Sequence, residues 1–281
     1  MQFEVTEKDF SNFSKLIYAK CGINLHNGKR ELLKARLAKI LRNSDFTSVK
    51  DYYRYLTEKA SDQEIIPLLD TISTNLTSFF RESRHFEFLS DTAIPELLKR
   101  RGSKKLNVWC AACSSGEEAY SIAITLLESV RDSQLWDVNV LATDISTRML
   151  NTAKQGIYDK DRVGKIPYQL QRAYFKKGIR KWQGFYRVKP ELQKVIKFER
   201  FNLMEPLPSN HTFDVIFLRN VMIYFDKPTQ EKLVNKCYDI VEKDGYFFIG
   251  HSESLTGVNH KFKYIKPSVY RKCRRISEFH G

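Results

Sequence analysis

The stretch LNVWCAACSSGEEAYSIAI, residues 106 to 124, is the most informative part of this chain about its fold. A short apolar run leads into small residues that end at Gly116, and two acids and a helically spaced apolar run follow. This order predicts a strand, a tight turn and a helix. Small residues let a ligand lie against the backbone, and the helix N-terminus presents unpaired N–H groups. In an open α/β sheet, such a turn is where a nucleotide-like ligand binds.

The charge of this turn narrows the class of ligand. The dinucleotide pattern G-x-G-x-x-G and the phosphate-loop pattern are both absent from it. Glu117 and Glu118 would repel a pyrophosphate, but they suit a ligand with positive charge, such as the sulfonium and ammonium groups of S-adenosylmethionine. An ordinary strand-to-helix turn, in which the acids favour the helix dipole, explains this stretch alone equally well.

A second apolar strand favours the ligand hypothesis. The run VNVLAT, residues 138 to 143, ends at Asp144. An acid at the end of the second strand of such a sheet is the usual partner of ribose hydroxyls. Asp144 is therefore the predicted ribose ligand.

The composition limits the class of protein. The chain has 281 residues, of which 42% are hydrophobic, enough for one large domain or two modest ones. Its five cysteines are widely spread and no signal peptide is evident, so we expect reduced thiols and a cytoplasmic location. Cys110 and Cys113 have C-x-x-C spacing without a second pair, so no metal site is predicted. No apolar run approaches the roughly 18 residues of a membrane span, so no membrane insertion is expected.

A net charge of +14 at pH 7 predicts an acidic partner. The predicted helix from Lys29 to Arg42 concentrates this charge, because its polar positions carry six cations and one acid, Glu31. A docking surface and an ordinary solvated face explain the pattern equally well. The cations of this helix are Lys29, Arg30, Lys34, Arg36, Lys39 and Arg42.

Three regions follow one another along the chain. Residues 1–75 predict a helical domain, residues 76–95 a junction, and residues 96–281 an α/β domain. The polar and aromatic run TNLTSFFRE, residues 74 to 82, is unusual for a linker. It is expected to close over a ligand, and the alternative is a junction held by packing of Phe79 and Phe80. Residues 158–192 interrupt the α/β pattern with many cations, and they predict a small antiparallel insert. The apolar strand FDVIFL, residues 213 to 218, has the composition of a buried parallel strand.

Six motifs, in order, together resemble the chemotaxis receptor methyltransferase (CheR) family. They are TNLTSFFRE, WCAACSSGEEAYSIAI, ATDIS, FNLMEPLP, FDVIFLRNVMIYFD and GYFFIGHSES. The resemblance covers nearly the whole chain. It implies an α/β, Rossmann-like S-adenosylmethionine methyltransferase domain that carries the inserted antiparallel β-subdomain and is preceded by an N-terminal all-α domain for receptor docking.

The resemblance also implies an activity and its partners. The family methylates glutamate side chains on the cytoplasmic helices of chemoreceptors in chemotaxis adaptation, and it converts S-adenosylmethionine to S-adenosylhomocysteine. The expected enzyme is thus a cytoplasmic, monomeric protein-glutamate O-methyltransferase, recruited to membrane-bound receptor arrays, with no nucleic-acid partner. Some members bind a receptor C-terminal peptide through the β-subdomain. That tether stays open here, because the segment between Phe175 and Phe185 lacks a glycine-richer loop.

The site residues implied by the resemblance lie in five of the motifs. The expected cofactor contacts are Asn75, Thr77, Arg81, Glu117, Asp144, Asn202, Leu203, Arg219 and Asn220, with Glu118 as the alternative to Glu117. Arg81 and Tyr224 are the expected catalytic residues, which orient the incoming carboxylate. A glutamate carboxylate is ionised at neutral pH and needs no general base, which agrees with the lack of a catalytic-triad or paired-carboxylate pattern.

Two other classes of function stay open at this point. The net charge, together with basic and aromatic residues in the insert, is also compatible with an RNA methyltransferase. A non-catalytic scaffold that binds the cofactor is the other alternative.

Overall fold

The computed structural model of this chain describes residues 5–25, 29–61, 64–72, 75–100, 104–130, 136–206 and 212–273. Thr74, the first residue of the TNLTSFFRE motif, lies outside these ranges, as do residues 1–4 and 274–281.

The N-terminal domain is all-α, as predicted. Its helices are α1 (Glu7–Cys21), α2 (Arg30–Arg42), α3 (Val49–Glu58) and α4 (Ile66–Ile72). Thr6 and Asp9 form a reciprocal capping box that begins α1, and Gly22 ends it with a φ of 72°. Apolar side chains at helical spacing, including Phe13, Ile17 and Leu37, are fully buried in one core.

A continuous helical segment joins this domain to the sheet. It consists of α5 (Arg84–Phe88), a π-helical turn (Leu89–Ala93) and α6 (Ile94–Arg100). Phe86, Leu89 and Ile94 belong to the same core cluster as the sheet residues. The predicted boundary between junction and α/β domain, at residues 95 and 96, therefore falls inside a helix that packs as part of the α/β domain.

The α/β domain is built on a seven-stranded sheet with the order β6-β2-β1-β7-β8-β10-β9. Its strands are β1 (Lys105–Ala111), β2 (Asp137–Asp144), β6 (Ile196–Arg200), β7 (Phe213–Leu218), β8 (Val241–Ile249), β9 (Lys263–Lys266) and β10 (Val269–Arg271). The first five are parallel, and β10 is antiparallel to its neighbours. Its main helices are α7 (Glu117–Ser129), α8 (Thr147–Gln155) and α12 (Lys227–Ile240).

The strand order indicates the edge of the sheet at which a ligand would bind. Because β1 pairs with β2 on one side and β7 on the other, the chain reverses its direction of travel across the sheet at β1. Residue Cys110 lies opposite Ala142 and Phe217, so the carboxyl ends of these three strands lie side by side. In open α/β sheets, ligands bind at such a switch point.

The predicted antiparallel insert is present between α8 and β6. Its sheet has the order β3-β5-β4, with β3 (Ile157–Asp159), β4 (Phe175–Lys177) and β5 (Phe185–Val188). Three short helices accompany it: α9 (Lys160–Val163), α10 (Tyr168–Tyr174) and α11 (Pro190–Gln193).

The helical domain packs over the carboxyl edge of the sheet. Tyr18 Oη donates to Asp226 Oδ2 at 2.8 Å, and Asn202 Nδ2 donates to the carbonyl of Lys20 at 2.7 Å. The hydroxyl of Thr147 donates to an oxygen of Asp70 at 2.9 Å. Within the described ranges, none of the helices has the length and apolar character needed to cross a membrane.

Candidate active site

A cleft lies between the helical domain and the carboxyl edge of the sheet. Every predicted cofactor or catalytic residue except Glu117 lines it: Asn75, Thr77, Arg81, Asp144, Asn202, Leu203, Arg219, Asn220 and Tyr224. The helical domain supplies a wall that the sequence did not predict, formed by Cys21, Ile23, Leu25, Lys29 and Ile72.

The turn after β1 holds Asp144 at the bottom of the cleft. The N–H groups of Ala112 and Cys113 both donate to the carbonyl of Thr143 at 2.8 Å, which ties the turn to β2. The two carboxylate oxygens of Asp144 accept from the N–H groups of Ser114 and Ser146, each at 2.8 Å. Burial raises the pKa of the Asp144 carboxyl, and the two backbone donors oppose the rise.

Two carboxylates flank one buried arginine beside this turn. Arg219 Nη1 donates to Glu118 Oε2 at 2.7 Å, and Arg219 Nη2 donates to Glu82 Oε2 at 2.9 Å. Burial raises the pKa of the Glu118 carboxyl, and the Arg219 guanidinium opposes the rise. This ion-paired group thus places the Glu118 carboxylate and the Arg219 guanidinium at the cleft. Sequence reasoning missed Glu82, although it stands next to Arg81 in the TNLTSFFRE motif.

The side chain of Glu117 lies on the other side of the turn, which differs from the expectation for this residue. It is fully buried, and its oxygens accept from Arg162 Nη1 and from the hydroxyl of Ser115, each at 2.7 Å. Successive residues of a helix point about 100° apart, so Glu117 and Glu118 extend in different directions from α7. The alternative residue, Glu118, is the one that lines it.

The loop after β7 is held by a second buried acid. Glu253 accepts from the N–H groups of Asn220 and Met222 at 2.8 and 2.7 Å, and from that of Gly250 at 2.6 Å. A Cβ atom at Gly250 would lie 2.4 Å from the side-chain nitrogen Nδ2 of Asn220, so only glycine leaves room for the Asn220 side chain. The loop therefore presents Asn220 to the cleft in a fixed position.

Residues with unusual backbone conformations cluster at the cleft. Among the described non-glycine residues with positive φ, Ala112 (76°), Ser114 (50°) and Asn220 (57°) line the cleft. Phe80 (51°) and Glu82 (60°) flank Arg81, which also lines it. Each such conformation costs of order 1–3 kcal/mol, and such strain tends to concentrate at functional sites.

Aromatic and cationic side chains stand at the mouth of the cleft. Lys29 Nζ lies 5.0 Å from the centre of the Tyr224 ring, and the N–H of Asn24 donates to the Tyr224 carbonyl at 2.8 Å. Arg81 Nη1 donates to the carbonyl of Leu76 at 2.8 Å. The Leu76 side chain is 79% exposed, and Ile223, next to Tyr224, is 50% exposed. The mouth therefore combines cations with exposed apolar groups.

Some cations of the predicted basic face of α2 make contacts inside the helical domain, and others are exposed. Arg30 pairs with Glu7, and Arg36 donates to the carbonyl of Ile72, so these two side chains serve contacts inside the domain. Lys34 Nζ lies 3.9 Å from Glu31 Oε2 on the same helix. Lys39 and Arg42, in the last turn, are exposed.

One group of side chains within the described ranges has the residue types of a metal site: Glu82, His85 and His251. Burial lowers the pKa of His85 to about 3, with the Arg219 charge acting in the same direction. The oxygen of Glu82 that faces both histidines already accepts from Arg219 and from the N–H of His251. The group is therefore better explained as the support of Arg219.

The donor set of the cleft fits S-adenosylmethionine. Asp144 offers acceptors for a ribose diol, while Glu118 and Arg219 offer opposite charges for the ammonium and carboxylate of a methionyl group. Phe201, Leu203 and Val221 add apolar wall suited to an adenine ring. With the open α/β sheet, this cleft defines the class of Rossmann-like methyltransferases that use S-adenosylmethionine.

The comparisons with known proteins agree with this class. The domain family described as "CheR methyltransferase, SAM binding domain" matches residues 75–271, and "CheR methyltransferase, all-alpha domain" matches residues 8–73. The chemotaxis protein methyltransferase of Borreliella burgdorferi is 39% identical over 277 residues, covering 97% of this chain and 96% of its own. That of Escherichia coli is 37% identical over 272 residues, covering 95% and 91%. A relative from Pseudomonas aeruginosa, chemotaxis protein methyltransferase 2, is 37% identical over 270 residues, covering 96% and 94%.

The chain belongs to the CheR methyltransferase family. The resemblance seen in the motifs is thereby confirmed, and so are the fold class, the S-adenosylmethionine cofactor and the methyltransferase activity.

We expect the affinity for S-adenosylhomocysteine to fall as the pH is lowered. The raised pKa values of Asp144 and Glu118 mean that protonation begins at a higher pH than for exposed carboxyls. The sign for folding is opposite: these groups bind protons more tightly in the folded state, so their contribution to stability is lost as the pH rises through the folded pKa. Calorimetric titration between about pH 8 and pH 5 measures the binding effect. The same pH dependence in both Asp144→Asn and Glu118→Gln would rule out this cause.

Proposed function

We propose that this enzyme transfers the methyl group of S-adenosylmethionine to glutamate side chains of chemoreceptor cytoplasmic helices, as the receptor-modifying step of chemotaxis adaptation. The observation that carries the proposal is the placement of Arg81 and Tyr224 at the mouth of the cleft that holds Asp144, Glu118 and Arg219. A carboxylate that enters the cleft beside Arg81 would meet the guanidinium of that residue.

The proposed cofactor contacts follow from the cleft. Asp144 binds the ribose hydroxyls, and Glu118, in place of Glu117, binds the methionyl ammonium. Arg219 would pair with the methionyl carboxylate. Asn202, Leu203 and Asn220 line the adenine and methionyl parts, and Asn75 and Thr77 close the cleft from the TNLTSFFRE segment.

Arg81 and Tyr224 are the proposed catalytic residues. When bound, S-adenosylmethionine supplies a methyl group on a sulfonium, which a carboxylate oxygen can accept as an ester without a general base. Arg81 can hold the incoming carboxylate through a fork of N–H groups, and the Tyr224 hydroxyl can fix its angle. The enzyme's contribution is positioning and exclusion of water, because attack of a carboxylate on a sulfonium removes two charges.

The proposed receptor surface combines the mouth of the cleft with the exposed end of α2. A methylated receptor helix would carry acidic side chains beside apolar ones. Lys29, Lys39 and Arg42 complement the acids, while the exposed Leu76 and Ile223 offer apolar contact. Arg30 and Arg36 would support this surface from within the helical domain.

We expect receptor methylation to be sensitive to salt, and the double variant Lys39→Ala, Arg42→Ala to raise KM for the receptor fragment several-fold. Exposed charges at the rim of an interface act mainly on association, which salt screens. The matched control is Lys104→Ala, Lys243→Ala, which removes two exposed cations at the amino-terminal edge of the sheet. A rate that is flat from low to high ionic strength would argue against charge-guided docking.

The remaining partner and location assignments are also proposals. A receptor C-terminal peptide could add to the β4 edge of the insert, beside the exposed Ile179 and Trp182. The enzyme would act as a cytoplasmic monomer that is recruited to membrane-bound receptor arrays through its substrate helices, without a nucleic-acid partner.

Transfer of labelled methyl to a chemoreceptor cytoplasmic fragment, followed by mild alkali, tests the proposal. The expected result is volatile labelled methanol released from the receptor band, because a carboxyl methyl ester hydrolyses under these conditions. RNA offered in parallel should take up no label. Alkali-stable label on RNA would support the RNA methyltransferase alternative, and cofactor binding with no transfer to either would support the scaffold.

A further inference from the structure

The inserted β-subdomain contacts the turn between β1 and α7 through two side chains. The hydroxyl of Tyr158, in β3, donates to the carbonyl of Ser115 at 2.6 Å. Arg162 Nη1, in α9, donates to Glu117 Oε1 at 2.7 Å. Ser114 and Glu118 line the cleft, whereas Ser115 and Glu117 contact the insert. The turn is therefore held between the cleft and the insert.

The insert side of the turn is closely packed. Glu117 is fully buried, and a buried carboxylate is stable only when it is paired. Arg162 supplies the opposite charge from a side chain that is itself 48% exposed. The ion pair therefore joins the interior of the cofactor turn to a residue on the surface of the insert.

The backbone at Gly116 packs closely against neighbouring residues. Its φ is 97°, and a Cβ atom there would lie 2.7 Å from the Ala153 Cβ and 3.0 Å from the Tyr158 hydroxyl. The ring of Phe79, two residues before Arg81, also packs edge-on against Tyr158 with centroids 5.0 Å apart. A displacement of Tyr158 would therefore be felt at both the turn and the TNLTSFFRE segment.

We infer that Tyr158 and Arg162 are positioning residues for the cofactor. They hold Ser115 and Glu117, and through them they keep Ser114 and Glu118 in the orientation that faces the cleft. The inserted β-subdomain thus contributes to cofactor affinity, whatever else binds to it. The inference rests on the proposed placement of the cofactor against Asp144 and Glu118.

Calorimetric titration of S-adenosylhomocysteine into the full-length protein tests this role. Arg162→Met removes the charge and keeps the length of the side chain. We expect the Kd to rise about 10-fold, within the range by which residues without ligand contact modulate binding. The KM for S-adenosylmethionine should rise with it, whereas kcat at saturating cofactor should stay the same, and Arg162→Lys should restore most of the affinity.

Two further variants separate positioning from folding. Arg172→Met removes an exposed cation from α10 of the same insert and should leave the Kd unchanged. Tyr158→Phe removes only the hydroxyl and keeps the ring packed on Phe79, and it should weaken binding in the same direction as Arg162→Met.

The outcomes distinguish this inference from the proposed function. Wild-type affinity in both Arg162→Met and Tyr158→Phe would overturn the inference alone. A lower kcat with unchanged KM would also overturn it, because that result indicates loss of folded enzyme. Failure of the wild-type protein to bind S-adenosylhomocysteine would contradict the proposed cofactor site, and the inference would fall with it.

Discussion

Replacing Arg81 with alanine should slow methyl transfer to a receptor fragment by about 100- to 1,000-fold, the loss typical of removing one preorganised donor from an active site. Arg81 lines the mouth of the cleft, and its Nη1 is fixed on the carbonyl of Leu76 at 2.8 Å. The guanidinium is therefore already oriented when a carboxylate arrives. Affinity for S-adenosylhomocysteine should fall much less than the rate, because Asp144, Glu118 and Arg219 remain in place.

Arg84→Ala is the matched control for this variant. Arg84 is exposed, lies three residues further along the same segment and begins α5. Its replacement should leave both rate and affinity near those of the wild type. Single-turnover rates with saturating cofactor, compared with calorimetric affinities, separate the two effects. Equal losses of rate and affinity in Arg81→Ala would show that Arg81 serves the cofactor rather than the substrate carboxylate.

Replacing Asp144 with asparagine should weaken binding of S-adenosylhomocysteine by about 10- to 100-fold, since hydrogen bonds to a charged group are worth about 1.5–3 kcal/mol. The carboxylate accepts from the N–H groups of both Ser114 and Ser146. An amide of the same size has one oxygen, so it cannot accept both bonds, and its NH₂ group faces a donor. The substitution therefore affects the proposed ribose contact and the shape of the β1–α7 turn together.

Asp137→Asn makes the same chemical change at the other end of β2. Asp137 is exposed and faces the amino-terminal edge of the sheet, away from the cleft. Calorimetry should show wild-type affinity for this control and the large loss for Asp144→Asn. An Asp144→Asn variant that binds S-adenosylhomocysteine as tightly as the wild type would remove Asp144 from the cofactor site.

Most of the fold could be predicted because its signals are local. The strand, turn and helix of residues 106 to 124 and the buried strand FDVIFL follow directly from periodicity and composition. The position of Asp144 at the cleft was predictable, because it ends the second strand of the sheet, and its role as the ribose contact stays a prediction. The residues of the TNLTSFFRE segment came instead from the family resemblance, since a short loop carries no periodicity to interpret.

The choice between Glu117 and Glu118 could not be made from the sequence. Both acids stand in the first turn of α7, and the direction of that turn decides which faces the cleft. The direction depends on the positive φ angles of Ala112 and Ser114 and on Arg162, which is 45 residues from Glu117. Long-range contacts of this kind leave no trace in local spacing.

The wall that the helical domain contributes to the cleft could not be predicted from the sequence, for the same reason. It forms because α1 packs on the loop after β6, through a hydrogen bond between Asn202 and Lys20, which are 182 residues apart. The basic pattern of α2 was likewise only partly informative. Arg30 and Arg36 find partners on other segments of the helical domain, Glu7 and Ile72, so charge alone overstated the free surface of this helix.

A crystal structure of the protein with S-adenosylhomocysteine would show where the cofactor binds and would thereby test the proposed site. We expect the ribose hydroxyls on the Asp144 carboxylate, the methionyl group beside Glu118 and Arg219, and the sulfur directed toward Arg81 and Tyr224. A ligand bound outside the cleft, or inside it with the methionyl group directed away from Glu118 and Arg219, would show that the proposed cofactor site is wrong.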